Sequence, residues 1–464
     1  MQPTSRHFTA NARAALADAD LQAALAHGRT GFVARRRRAV ERLPEWEALR
    51  EAARTIKDHT LACLDEYLER YEQQVVASGG QVHWARDAAE AREAVLAICR
   101  AAGARLVTKG KSMVTEEIGL NAALEAEGLR VVETDLGEYV IQLRHEPPSH
   151  IIAPAIHLRR AQIETTFRDA HAELPAGRDL GEPRLLVDEA RQRLRPLYAQ
   201  AEVGITGANF LVAETGSSII VTNEGNGDLT QALARIHVVV AGIEKIVPTL
   251  EDAATLLRLL ARSATGQEFS TYTTLSTGPR RPGDPDGPEE YHVVLVDNGR
   301  SAMLGDGFAE MLRCIRCAAC LNHCPVYGAV GGHAYGWVYP GPMGAVLTPG
   351  LVGLAEAKSL PEASSVCGRC DSVCPVKIPL TRLMRRWRER TWTSGLVPQR
   401  QRLALRLWAG LARRPGLYRW ATAAGSRLLG LLAGRGGSFR TLPFAGGWTQ
   451  HRDLPAPSGR TFQS

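Results

Sequence analysis

Apolar and polar positions alternate along this chain in four distinct ways. From about residue 8 to residue 75 the pattern is helical, in segments such as ADADLQAALAHG and EWEALREAARTIKDHTLACLDEYLERYEQQVV. These are rich in Ala, Leu, Glu and Arg, and glycine stops the first. No chemistry is legible in them, and packing against a neighbour is the expectation.

From about residue 88 to residue 299 helical and extended patterns take turns. DAAEAREAVLAICRAAG predicts a helix and ARLVTKG a strand. Thr115 is expected to cap a helix carrying Glu116 and Glu117 in its first turn, where acids favour the helix dipole. Gly128 ends it, and LRVVETD predicts the next strand. NFLVAETGSSIIVTNEG predicts two strands about a Thr215-Gly216 turn. GDLTQALAR, IHVVVAGIEKIV, LEDAATLLRLLARSA and YHVVLVD then predict helix, strand, helix and strand. RRPGDPDGPEE is a loop. Such alternation argues for an α/β layer domain with a mainly parallel sheet. Helical stretches with glycine breaks follow residue 391, and the tail LPAPSGRTFQS predicts an extended end.

Composition narrows the class. The 464 residues are 45% apolar and 23% charged, which excludes a disordered chain, a collagen and a small disulfide scaffold. No run approaches the ~18 apolar residues of a spanning helix. The start lacks an apolar secretory core, and the basic run at residues 35–38 is no export sequence, so a cytoplasmic protein is expected. The net charge is +7, but residues 381–440 hold fourteen arginines against one acid, leaving −6 for the rest. Leu403, Leu407 and Leu411 recur at helical spacing there, with Trp408 beside them and Arg402, Arg406 and Arg413 around the helix. Such a face suits an anionic membrane surface, placing the protein at its inner side, or an acidic partner or the protein's own acidic body. No nucleic-acid motif accompanies the charge.

The cysteines are the sharpest signal. Cys63 and Cys99 stand alone in helix-like surroundings and read as buried small hydrophobes. The other seven fall within residues 314–374. In a reducing compartment such crowding points to metal. Cys314-Ile-Arg-Cys317-Ala-Ala-Cys320-Leu-Asn-His-Cys324-Pro325 has the spacing of a bacterial-type [4Fe–4S] site. Cys367-Gly-Arg-Cys370-Asp-Ser-Val-Cys374-Pro375 repeats it without the leading cysteine, whose place Ser364 takes. In two-cluster proteins the fourth cysteine of each run serves the other cluster. Cluster I, a [4Fe–4S] centre, is therefore assigned to Cys314, Cys317, Cys320 and Cys374. Cluster II is assigned to Cys324, Cys367 and Cys370. It is [3Fe–4S], or [4Fe–4S] with Ser364, another side chain or water as fourth ligand. An open iron could also bind a substrate oxygen. The 42 residues between Cys324 and Cys367 predict a Gly/Pro loop, then a helix in LVGLAEAKSLPEAS. His323 and His333 read as hydrogen-bonding histidines.

Three glycine turns follow strands: Lys109-Gly110-Lys111-Ser112, Glu214-Thr215-Gly216-Ser217-Ser218 and Asn223-Glu224-Gly225-Asn226-Gly227. Each alone is a turn; together they suggest a small anionic ligand. No flavin or nicotinamide fingerprint is present, so a hydride acceptor would sit on a partner.

The chain resembles the lactate utilisation protein B family of iron–sulfur proteins. The resemblance runs through VTKGKSMVTEEIGLN, VVETDLGEYVIQL, AETGSSIIVTNEGNG, CIRCAACLNHCPVY, YPGPMGAVLTPG, CGRCDSVCPVKIPL and GGWTQHRDLPAP, in one order. It implies an α/β domain like those of sugar-phosphate isomerases and CoA-transferases, plus an α-helical two-cluster ferredoxin-like domain. It also implies seven cluster cysteines with serine in the eighth place. The implied role is electron transfer in L-lactate oxidation to pyruvate, in a complex with two partner proteins, towards a soluble, peripheral membrane or quinone-side acceptor. The alternative is an enzyme binding a hydroxy acid at an open cluster iron; catalytic residues are unassigned. The expected division is an N-terminal helical region (1–75), an α/β lactate-utilisation-type domain (76–299), a two-cluster iron–sulfur domain (300–390) and a basic C-terminal extension (391–464).

Overall fold

The computed structural model describes residues 3–110, 112–433, 437–442 and 453–461, with the side chains of 27–30 left aside. The chain packs as two units, residues 1–390 and 391–464.

The larger unit is built on a parallel sheet. Its strands are β1 (Gln81–Ala85), β2 (Leu106–Lys109), β3 (Arg130–Glu133), β4 (Val203–Thr206), β7 (Ile236–Gly242) and β10 (Glu290–Val296), in the order β1-β10-β7-β4-β2-β3. Every pairing is parallel. β7 is buried along its whole length, as its run IHVVVAG demands of a central strand covered on both faces. One face packs under helix Ala88–Ala101, where Val95 and Cys99 meet Val107 and Val238. The other packs under helix Leu64–Ala77, where Leu68, Tyr71 and Val75 meet Val239 and Val293. Helix Asn226–Leu233 comes so close to β4 that a Cβ on Gly204 would collide with the Thr230 carbonyl, so only glycine fits there.

Successive connections change direction between β2 and β4. From β2 the chain moves to β3 at one edge; from β4 it moves through β7 to β10 towards the other. Open α/β sheets bind ligands at the carboxyl ends of strands at such a reversal. A smaller mixed sheet, β8-β5-β6-β9, joins β5 (Phe210–Val212), β6 (Ser217–Thr222), β8 (Ile246–Val247) and β9 (Tyr272–Ser276). β5 and β6 are the antiparallel pair expected about Thr215-Gly216.

Two local expectations need correction. Thr115 does not cap its helix, which spans Met113–Glu117. Ser112 is the cap, its Oγ accepting from the Thr115 N–H at 3.3 Å. A hydroxyl three residues upstream meets an orphan amide of the first turn, and Thr115 becomes that amide's owner. The insert between the cysteine runs folds differently too. Its main helix is Gly341–Val352, inside the stretch expected to be loop. Pro342 is tolerated in the first turn, and complete burial from Gly341 to Pro349 outweighs poor helix propensity.

Residues 391–464 contain helices Gln399–Ala412 and Pro415–Ala433, with no buried residue on either, and a two-stranded antiparallel ribbon pairing Ser438–Phe439 with Leu454–Pro455. Among the described residues no helix is long and apolar enough to cross a membrane. Most of the GGWTQHRDLPAP block lies outside the described residues.

Candidate iron–sulfur centre and adjoining cavity

Cys314, Cys317, Cys320 and Cys374 line one small cavity. Cys314 follows a 3-10 turn, Ala309–Arg313, and Cys320 lies in the short helix Ala319–Asn322. Between them the backbone is left-handed at Arg316 (φ 58°) and Ala318 (φ 60°). Each such residue costs roughly 1–2 kcal/mol, so the loop is held by what surrounds it. Cys374 arrives from the second run at the end of helix Arg369–Val373, and its Sγ accepts from the Ile378 N–H at 3.3 Å. The remaining wall is largely apolar, including Ile151, Met311, Ile315 and Met343. Burial pushes the metal-free thiols up, Cys317 to about 12 and Cys374 to about 11. Iron replaces those protons, since thiolates are the ligands. Four convergent sulfurs, an apolar shell and an amide aimed at sulfur fit an iron–sulfur cluster.

The second group is more open. Cys324 caps helix Pro325–Val330, its Sγ accepting from the Tyr327 N–H at 3.5 Å. Its thiol is raised by burial and by Cys367, and Cys370, pushed up to about 12 by burial, also senses Cys324, so the three are neighbours. Cys370 is buried but Cys367 is exposed. The Arg369 amide and the Ser365 hydroxyl pull the Cys367 thiol down. Ser364 is half-buried, and its Oγ accepts from the Val366 N–H at 3.1 Å. His323 and His333 bond to the carbonyls of Ala319 and Pro147, each at 2.8 Å.

Cations crowd the four-cysteine cavity. Arg36 donates to the Val373 carbonyl at 2.9 Å, and Arg50 donates twice to that of Cys374, at 3.0 and 2.7 Å. Lys57 donates to the carbonyls of Glu244 (2.6 Å) and Ile246 (3.1 Å); burial pushes it down to about 8, against the charges of Glu244 and Cys314. Arg316, inside the first cysteine loop, reaches the Glu244 carboxylate at 3.1 Å and lies 4.8 Å over the Tyr339 ring. Arg300 joins Glu244 (2.6 Å) to Glu117 (2.7 Å), which also accepts from the Tyr339 hydroxyl (2.6 Å). This buried network ties the sheet to the cysteine loop.

A second cavity, of about 240 Å³, opens where β2 and β4 end. Ser112, Asn223, Asn226 and Gly207 line it, so two of the three glycine turns meet there. The turn at residues 214–218 does not: Gly216 packs on the backbone of Gln74 and Val75. Lys111 lies outside the described residues, and Lys109 is committed elsewhere, to Glu116 (2.7 Å) and Glu133 (2.8 Å). Lys245 and Arg316 also line this cavity, and Arg316 and Ile151 are common to both cavities.

Three family models match the chain in sequence order. The LUD domain covers residues 68–296, the 4Fe-4S dicluster domain residues 310–378, and Lactate utilisation protein B, C-terminal, residues 395–464. Lactate utilization protein B of Bacillus pumilus is 44% identical over 97% of this chain and 94% of its own length. The chain belongs to the lactate utilisation protein B family. The Geobacillus kaustophilus protein of that name is 45% identical over 93% of this chain and 90% of its own. An electron transport protein of Escherichia coli, YkgF, is 42% identical over 100% of this chain and 97% of its own.

In this chain the N-terminal helices do more than pack. They bring Arg36, Arg50 and Lys57 to the cysteines, which sequence reasoning missed. Nothing near those residues marks them, since the carbonyls they bond lie 187 to 337 positions away. Lys245 and Arg316 were also passed over. Their signals were a Glu-Lys pair inside the apolar run IHVVVAGIEKIV and an arginine inside a cysteine loop.

Proposed function

We propose that this chain carries single electrons in L-lactate oxidation, through two cysteine-held clusters. It is an iron–sulfur protein of lactate utilisation. Cys314, Cys317, Cys320 and Cys374 hold a [4Fe–4S] cluster. Cys324, Cys367 and Cys370 hold a second, either [3Fe–4S] or [4Fe–4S] with Ser364, water or another group on the fourth iron. The clusters supply reversible one-electron chemistry; the protein supplies ligands, an apolar shell and compensating charge. The observation that carries this reading is that Cys374, from the second run, lines the same cavity as the three leading cysteines of the first. That is the crossover expected of a two-cluster arrangement.

The partners are two further proteins of a lactate-oxidising complex, one holding the hydride acceptor. Docking, at a cytoplasmic location, falls to residues 391–464. Four arginines of the basic region are already committed within the larger unit: Arg382 to Glu310, Arg386 to the Gly307 carbonyl, Arg388 to that of Pro361, and Arg390 to Asp306. A further set of arginines begins at Arg400, and of these Arg402 lies 5.3 Å over the Trp392 ring. There Leu403, Leu407, Trp408 and Trp420 are all exposed. Large apolar groups among arginines suit an anionic membrane surface or an acidic partner.

Anaerobic purification with iron and sulfide analysis and EPR tests the reading. Cys320→Ala should abolish the signal of cluster I and retain that of cluster II. Colourless or zinc-loaded protein would remove the proposal, and loss of cluster II alone would overturn the crossover.

A further inference from the structure

We propose that the cavity at the ends of β2 and β4 binds a small 2-hydroxy or 2-oxo carboxylate, held by Lys245 and Arg316 beside cluster I. Lys245 carries the inference. It is 6% exposed and lines the cavity, yet it makes no hydrogen bond or ion pair among the described residues. Its acidic neighbour Glu244 is already taken by Arg300 and Arg316, and Glu117 by Arg300 and Tyr339. Burial, then Arg316, push Lys245 down to about 8, against the charges of Glu244 and Cys314. A buried ammonium without a hydrogen-bond acceptor is expensive, and an apolar side chain of similar length would serve folding at least as well. The oxygens of an anion in the cavity supply that acceptor.

The rest of the wall suits a short organic acid. Asn226, at the start of helix Asn226–Leu233, and Ser112 offer polar groups for an oxygen next to the carboxylate. Ile151, Leu260 and Ala264 form an apolar side for a hydrocarbon end. Two acids also line the cavity, but both are engaged. Asp135 accepts from the Gly137 and Glu138 amides at 3.0 and 3.2 Å, and Glu224 from the Leu136 amide at 3.2 Å. Arg316 belongs to both cavities, so charge arriving in one is felt in the other. None of Cys324, Cys367 and Cys370 lines this cavity. No cysteine of the first run lines it either, so the acid makes no bond to a cluster iron and reaches the four-cysteine side only through Arg316 and Ile151. Binding stands on the cavity alone; its meaning as a substrate site rests on the electron-carrier reading.

The test is calorimetric titration of the anaerobically purified full chain with L-lactate, pyruvate and, as a control, inorganic phosphate. One of the two organic acids should bind, and phosphate should not compete. Lys245→Met should weaken binding at least tenfold without lowering the melting temperature, and Lys245→Arg should retain it. Ala264→Leu, which fills cavity space and leaves charge alone, gives an independent block should Lys245→Met fail to fold. Saturating ligand should also lower the midpoint potential of cluster I in the parent protein and not in Lys245→Met. Absence of binding to iron-replete protein overturns the proposal, as does equal binding by Lys245→Met or equal competition by phosphate. Iron-free protein that still binds pyruvate through Lys245 upholds the site and sinks only the carrier reading.

Discussion

The two cysteine groups occupy contrasting surroundings. The first has four cysteines converging on a largely apolar cavity, two of them (Cys317 and Cys374) buried and two half-buried, with Arg36, Arg50, Lys57 and Arg316 close by. The second has three, one of them exposed, and the nearby Ser364 hydroxyl accepts from the Val366 amide. Cluster potentials follow net charge, hydrogen bonds to sulfur and exposure to solvent. The cation-rich, dry site favours the more negative, reduced form of what it holds. The open site favours exchange with something outside. On the proposed ligand assignment, the contrast makes cluster II the surface relay and cluster I the inner station, next to the cavity of Lys245.

The largest expected difference is in lability. On exposure to air or a chelator, cluster II should be lost first, several-fold faster than cluster I, because Cys367 is exposed whereas Cys317 and Cys374 are buried. Timed EPR and iron analysis read this directly. Simultaneous loss would mean that the two sites open together and that the contrast in burial is without consequence.

Much of this layout was legible in the sequence, and the reason is range. The thiols of Cys314, Cys317 and Cys320 are placed by a loop of seven residues, so spacing alone announces them. β7 and helix Leu250–Ala264 were legible because an apolar run of strand length and a helical repeat are local patterns. Helix Gly341–Val352 was not, since burial rather than propensity makes it. Three of the four cations beside the first group, Arg36, Arg50 and Lys57, come from helices Ala19–Glu41 and Trp46–Ala62, and only the folded chain brings them in.

Ser364, in the place of an eighth cysteine, gives the next test. Ser364→Cys should convert cluster II to four-cysteine ligation, with a changed EPR signature and slower loss in air. Cluster I should be unaltered. An identical signature and iron content would place Ser364 away from that corner, in keeping with its bond to the Val366 amide.

The cation shell can be thinned without touching a ligand. Lys57 is 2% exposed and among the charges felt at Cys314. Lys57→Gln removes the charge and keeps a donor for the carbonyls of Glu244 and Ile246. The potential of cluster I should fall by tens of millivolts, where ~59 mV is a tenfold change for one electron. Cluster II should not move. Equal shifts at both would show that the shell is not specific to the inner site.

The smallest effect concerns the backbone of the two loops. Both hold non-glycine residues left-handed, Ala318 (φ 60°) beside cluster I and Val366 (φ 55°) beside cluster II. A β-branched side chain is the worse fit to that conformation. Val366→Gly relieves roughly 1–2 kcal/mol of strain. It gives back about 0.4–1 kcal/mol through the freer unfolded chain. At Ala318, 2% exposed, the same change also removes a buried methyl, about 0.8 kcal/mol. Val366→Gly should therefore raise the anaerobic melting temperature by roughly 1–2 °C, while Ala318→Gly leaves it level or lower. The reverse order would mean that Val366 gains more from its contacts than its backbone loses, and that the open loop is as tightly specified as the closed one.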